Sequence, residues 1–381
     1  MSNELEFGLH GVDAAVVIDN SRGLEVVHEV NPNHVLELNI SLAETPDQLN
    51  VLLRQNVRRL IEIVETQGGT IYAGSSLIED VSEVQPKRHR TTSLSEACAH
   101  GFLDITSQQV VLGVNDEALG FELYNMFRRV NPALLALSAS SPYRYVDGSL
   151  KDTEAMSRRL QQYVELCRFY PHEMWRTMPK IGSMSEYYRH LQQVSDEVNK
   201  RLARGELDAN VEELTRIRTN GFSYIPFSRL EPHQIYWYVR PRPDHSNERS
   251  VMSVELRVTD IPTTVERMQL LNSFVVGLAY YVADHGSERL PLYCDGTFEE
   301  LEEAAKYGLD TKIGCQTLRT TIDNLTRYAR DGLEGRSLPA DFSLLDRIFR
   351  EGTDAEIIRN SGFTSPQKLI SYLVERLKNG E

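Results

Sequence analysis

The sequence predicts a mixed α+β protein, with strands and helices interleaved irregularly. Three observations carry that expectation. Short segments alternate apolar and polar residues with period 2, the mark of half-buried strands. Longer segments place apolar residues at helical spacing behind recognisable caps. The strands fall between helices without a βαβ rhythm, and no GxGxxG turn is present, which disfavours a doubly wound parallel sheet.

Val12–Ile18 reads as an apolar strand closed by the turn residues Asp19, Asn20, Ser21, Arg22 and Gly23. Val35–Ile40 alternates strictly, Glu37 and Asn39 on one face and Leu36, Leu38 and Ile40 on the other. Thr45 and Pro46 then open a helix as N-cap and first helical residue, and Gln48 completes a capping box. Its stripe of Leu49, Leu52, Leu53, Val57, Leu60, Ile61 and Val64 runs to the stop at Gly68-Gly69. Strands follow at Thr70–Ala73 and Gln109–Val114, and helices at Glu117–Arg129, Pro132–Ala139 and Glu154–Arg168. Ser185–Arg218 is charged and helical with a break at Gly205; Ile235–Arg240 and Val251–Val258 are two further strands. From Thr263 the chain reads as helix after helix: 263–284, 297–307, 316–331, 341–350 and 365–378. No repeat or Gly/Ser/Pro-rich linker marks a boundary, so 1–381 is read as one domain with a mostly helical C-terminal part.

The composition, 41% hydrophobic and 25% charged, is that of a soluble globular protein. A net charge of −14 argues against nucleic acid as a partner, because phosphate backbones are held mainly by Lys and Arg. No run approaches the roughly 20 apolar residues of a membrane helix, and the acidic start MSNELEFGLHG lacks the pattern of a signal peptide. Cys98, Cys167, Cys294 and Cys315 show no metal or disulfide spacing. A cytoplasmic protein is expected.

Two stretches carry candidate chemistry. In Ser250–Thr264, Val254, Leu256 and Val258 alternate with Glu255, Arg257 and Thr259, which places Glu255 and Arg257 on one face. Such a pair is ordinarily a surface cross-strand ion pair; on a rigid site it can hold a cation and an anionic group. Leu134–Tyr143 (LLALSASSPY) is either a closely packed helix end or a loop whose small residues admit a ligand to the backbone.

These pieces together resemble the type 2 glutamate–cysteine ligase family of ATP-dependent carboxylate–amine ligases. The resemblance rests on Leu137–Tyr143 (LSASSPY), Trp237–Pro243 (WYVRPRP), Val254–Thr264 (VELRVTDIPTT), Leu36–Leu38 (LEL) and Lys306–Leu309 (KYGL), in collinear order across nearly the whole chain. It implies a glutamine synthetase-like fold: a curved, mainly antiparallel sheet forming a funnel, with helices packed outside. It implies ATP and Mg²⁺ on the inner face, phosphorylation of a glutamate-like carboxylate to an acyl phosphate, and amide formation by a small-molecule amine. A homodimer is also implied.

By the same resemblance, Arg257, Arg240 and Arg158 are the expected catalytic cations, and Ser138, Ser140, Ser141 and Gln109 the expected ATP contacts. Glu37, Glu255, His10 and Asp13 are the expected metal ligands. The sequence departs from the family pattern in that set. The opening GxExE strand is matched to Gly8–Asp13, so His10 and Val12 or Asp13 replace its glutamates, and Asn33 replaces an acidic residue before Leu36. Gln109 and Val111 stand where the family carries two histidines, and Gly74-Ser75-Ser76-Leu77 replaces a GTHP loop. Three readings follow. The first is a ligase with a depleted metal site. The second is a lapsed paralogue that binds a small ligand or pairs with an active partner protein. The third is a different reaction on the same funnel, with Glu255 or His10 as acid or base.

Overall fold

The computed structural model describes residues 1–29, 31, 33–78, 105–167, 179–204, 239–243 and 251–380. The first half supplies β1 (Ser2–His10), α1 (Ala14–Asn20), β2 (Glu25–His28), β3 (Val35–Ile40), α2 (Pro46–Thr66), β4 (Thr70–Tyr72) and β5 (Gln108–Val114). After α3 (Glu117–Ser138) come the hairpin β6 (Tyr143–Val146) and β7 (Ser149–Asp152), then α4 (Arg158–Cys167) and α5 (Met184–Ala203). Strands β8 (Val239–Pro243) and β9 (Met252–Leu256) precede α6 (Val265–His285) and α7 (Phe298–Tyr307). The small pair β10 (Lys312–Ile313) and β11 (Gln316–Thr317) leads into α8 (Leu318–Glu334), α9 (Ser343–Glu351), α10 (Asp354–Asn360) and α11 (Pro366–Asn379).

The main sheet runs β2-β3-β1-β5-β9-β8, with β4 pairing β1 beyond the end of β5. Every pairing is antiparallel. Alternation along the strands divides the sheet into two chemically distinct faces. On one face, Leu5, Phe7 and Leu9 of β1 join Leu36, Leu38 and Ile40 of β3 against Leu49, Leu53, Val57, Leu60 and Val64 of α2. Val110, Leu112, Val254 and Leu256 continue that face into the cluster made with α3 and α6. The expected mixed fold with an antiparallel sheet and packed helices is therefore the observed one.

Three local expectations are corrected. Val12–Ile18 is not a strand but the start of α1. Gly11 takes φ +76° and turns the chain, and Asp13 caps the helix by accepting from Ala15 N at 2.7 Å. The apolar run is one-sided: Val17 is buried while Val16 is 42% exposed. The two helices expected on either side of Pro132 form one continuous α3. That helix is buried at every residue from Val130 to Ser138, and burial outweighs the roughly 3 kcal/mol that an interior Pro costs. Finally, the opening strand matched to Gly8–Asp13 is instead Ser2–His10, nine residues at the centre of the sheet. The break at Gly205, and Trp237 and Tyr238 of the WYVRPRP run, lie outside the described residues.

Candidate active site

The face opposite the helix-packed core is polar, and strand register assembles it. Glu37 of β3 stands across from Glu6 of β1 and Val27 of β2. Asn39 stands across from Glu4 and Glu25, and Gln109 of β5 continues that row beside Glu4. Farther across, Val111 is opposite Glu255 of β9, and Glu255 is opposite Arg240 of β8. The result is a carboxylate-rich half on β3 and β1, and a Glu–Arg half on β9 and β8, joined by β5.

The carboxylate half has a tight centre. Glu6, Glu37 and Glu29, the last just beyond the end of β2, each present an oxygen within 4.8 Å of the other two. Gln109 Nε2 donates to Glu6 Oε1 at 3.2 Å, Ser107 Oγ donates to Glu6 Oε2 at 2.9 Å, and Asn39 Nδ2 donates to Glu37 Oε1 at 2.9 Å. Burial pushes the Glu6 carboxyl up to about 7, with Arg159 opposing and Glu37 adding to the rise. Glu37 is pushed up to about 8, first by burial and then by the adjoining Glu29 carboxyl. Three carboxyls forced together, those of Glu6 and Glu37 raised in this way, make a site that favours positive charge. The three candidate ligand atoms are all carboxylate oxygens, which is the ligand chemistry of a hard divalent cation such as Mg²⁺.

In the other half, Arg257 Nη1 donates to the fully buried Glu255 Oε1 at 2.7 Å. Tyr187 of α5 lies near both: burial lifts its phenol to about 12, with Arg240 and Arg257 opposing and Glu255 reinforcing. The expected residues Glu255, Arg257 and Arg240 are thus brought together.

The three serines of LSASSPY face inward. Asp260, fully buried, accepts from Ser140 N (3.0 Å), Ser141 Oγ (2.9 Å) and Ser157 Oγ (2.8 Å), with Arg159 at 4.0 Å. Burial raises its carboxyl and Arg159 opposes that shift. Ser138 Oγ accepts from Asp260 N, and Ser140 Oγ donates to Ile261 O. The hydroxyls expected at ATP therefore fasten the end of α3 to the strand exit after β9. Arg158 is buried at the start of α4, its N–H donating to Ser141 O at 2.9 Å. Arg159 beside it donates to the carbonyls of Arg257 (2.8 Å) and Val258 (3.1 Å), bracing the backbone that carries Arg257.

His10 and Asp13 do not join the carboxylate cluster. His10 shares the face of Glu6 but sits four residues along β1, roughly 14 Å at strand rise. There it lines a groove of about 470 Å³ with Thr70 and α11 residues such as Gln367 and Lys378. Asp13 is spent on the cap of α1. Glu6 and Glu29 occupy the cluster instead, and Gln109 lies against it. The signal for Glu6 was present in the sequence: Glu4 and Glu6 alternate with Leu5 and Phe7. Nothing local marks Glu29, which follows a four-residue strand and reaches the cluster only through the fold.

The sequence profile of glutamate–cysteine ligase family 2 matches residues 2–344. The chain belongs to this family. A protein of Cronobacter sakazakii provisionally named glutamate–cysteine ligase 2 is 30% identical over 158 residues, 39% of each chain. One of Bordetella parapertussis with the same provisional name is 31% identical over 137 residues, 33% of this chain and 30% of the relative. The aligned stretch thus spans well under half the length of these relatives. The crystal structure of the Francisella tularensis glutamate–cysteine ligase, a complex with AMP, superposes with a TM-score of 0.62 at 12% identity. It covers 100% of this chain and 89% of that one, and so shows a shared glutamine synthetase-like fold. Among the described residues, no helix of this family member is long and apolar enough to cross a membrane.

Proposed function

We propose that this family member is an ATP- and Mg²⁺-dependent ligase that joins a small-molecule carboxylate of the glutamate type to an amine. The observation that carries the reading is one polar sheet face holding a three-carboxylate cluster and, two strands away, the Glu255/Arg257/Arg240 group. Glu6, Glu29 and Glu37 fit a divalent cation, which when bound would offset the charge of a triphosphate. Arg257 and Arg240 supply fixed positive charge for the phosphoryl group in transfer. Arg257 is held by Glu255 and braced through its own carbonyl by Arg159.

The substrate carboxylate oxygen attacks the γ-phosphorus of ATP, releasing ADP and leaving an acyl phosphate. The amine nitrogen then attacks the acyl carbon, phosphate departs, and the amine loses a proton. With Glu6, Glu29 and Glu37 counted, the site holds more carboxylate than Glu37 and Glu255 alone would provide, so the metal side is not depleted of anionic ligands.

Thermal unfolding with ATP and Mg²⁺, separately and together, tests the reading. The expected result is stabilisation by the pair that exceeds either alone and is lost in Glu37→Gln. ADP and phosphate should form in equal amounts only when both a carboxylate and an amine are supplied. A melting temperature indifferent to nucleotide and metal would instead identify a lapsed relative.

A further inference from the structure

Arg257 stands just past the end of its strand. Among the described residues, the ladders that β9 makes with β5 and β8 both end at Leu256. Sheet hydrogen bonding therefore does not fix the Arg257 backbone. Its side chain is 23% exposed, while that of its partner Glu255 is wholly buried. A cation that must meet a reacting group at a fixed place needs a further hold, because preorganised charge acts only where it is aimed.

Arg159 supplies that hold. Its two terminal nitrogens grip consecutive carbonyls, Arg257 O at 2.8 Å and Val258 O at 3.1 Å. Two serines seat the start of α4 that carries Arg159. Ser141 Oγ donates to Asp260 Oδ2 at 2.9 Å and accepts from Arg159 N at 3.3 Å. Ser157 Oγ donates to Asp260 Oδ1 at 2.8 Å and accepts from Leu160 N at 3.2 Å. Asp260 accepts at both oxygens, which is the behaviour of a carboxylate, and lies 4.0 Å from Arg159 as its counter-charge. The same residue reaches the other half of the site. Asp260 forms an isolated antiparallel bridge with Ser107, whose carbonyl accepts from Glu6 N at 2.9 Å. Ser141, Ser157 and Asp260 are at most 2% exposed, so they offer no surface to a nucleotide.

We propose that Arg159, Asp260, Ser141 and Ser157 are positioning residues that act through Arg257, fixing its guanidinium against the carboxylate half of the face. The LSASSPY segment then serves phosphoryl transfer by placing a cation, with no contact to ATP. The inference rests on the role given to Arg257 above.

The test compares wild type with Ser141→Ala, Ser157→Ala and Arg159→Lys, the last keeping the charge but losing the two-carbonyl grip. ADP release is followed with glutamate and cysteine as probe substrates, and ATP binding by calorimetry. A displaced guanidinium should lower kcat by roughly 10–100-fold while ATP affinity stays within about twofold. In an Arg257→Lys background, Ser157→Ala should cost nothing further, because both changes remove the same placement. The Nε–Hε cross-peak of Arg257, assigned by its loss in Arg257→Lys, should shift or broaden in each positioning variant. Weakened ATP binding at unchanged kcat would assign the hydroxyls to the nucleotide and overturn the inference. So would a kcat loss that persists undiminished without Arg257, the mark of a purely structural tie, or an unmoved Arg257 cross-peak. If Arg159→Lys fails to fold, the two serine variants decide, each lacking a single hydroxyl. If wild type releases no ADP with any carboxylate and amine, the ligase reading falls, and the cross-peak alone decides whether this network places Arg257.

Discussion

Burial raises the proton affinity of Glu6 and Glu37, which face each other across β1 and β3, and makes the site sensitive to pH near neutrality. In the unfolded chain both carboxyls ionise near 4.5; in the folded protein they do so at about 7 and about 8. Between those limits the folded state holds protons that the unfolded chain has released. Their contribution to stability is complete below the unfolded value and is lost as pH rises through the folded values. The metal-free protein should therefore melt at progressively lower temperature between about pH 4.5 and about pH 8, and Glu37→Gln should flatten the upper part of that decline. Mg²⁺ replaces the protons, so its stabilising effect should be larger at pH 8 than at pH 6, with proton release measurable by calorimetry in two buffers. Identical pH profiles for wild type and Glu37→Gln would contradict the assignment of these shifts. At this scale the sequence revealed Glu37, Glu255, Arg257 and Gln109 by alternation and motif. It concealed Glu29, because a residue after a short edge strand carries no periodic signal.

At the level of elements, α6 and α8 pack closely enough for backbone to meet backbone. A Cβ on Gly277 of α6 would lie 2.3 Å from Ala329 O, and one on Gly332 of α8 would lie 2.1 Å from Gly277 O. Neither partner atom can rotate away, so the helices would have to separate along a seam of buried apolar residues. Gly277→Ala should cost about 1–3 kcal/mol in chemical denaturation, with an unchanged slope if the fold survives. A neutral outcome would mean that the two helices are not held at this distance. The helices themselves were legible because caps and 3.6-residue spacing are local properties. Thr45, Thr264, Thr297 and Thr317 each cap the helix that follows by accepting an N–H bond. Strand β1 shows why legibility can fail even with a clear pattern. Its alternation was in plain view, but the neighbouring Gly8–Asp13 stretch competed for the same motif, and pairing with β3, β4 and β5 is what decides between them.

On the scale of the whole molecule, the C-terminal helices are tied to the sheet domain through one buried carboxylate. Asp354 at the start of α10 pairs with Arg267 of α6 at 3.1 Å and Arg376 of α11 at 2.8 Å, and accepts from Thr263 N at 2.7 Å. Asp354 and Arg267 are almost wholly buried, so removing the acid strands a cation in the interior. Asp354→Ala should destabilise by about 3–5 kcal/mol, and hydrogen exchange should show α10 and α11 losing protection first. Uniform loss of protection across the sheet would mean that this ion network does not act as a local tie.

The sequence by itself determined the mixed α+β class, most helix positions, the family and the residues of the Glu255/Arg257 half, since each is written in short-range periodicity, capping or contiguous motif. Only the tertiary structure decided what those residues touch. It turned the serines of LSASSPY inward onto Asp260, left His10 and Asp13 away from the cluster, and brought Glu6, Glu29 and Glu37 together from three separate segments. The physical reason is strand register. A carboxylate's chemistry depends on the charges within a few ångströms of it, and those neighbours are set by cross-strand pairing between residues distant in sequence.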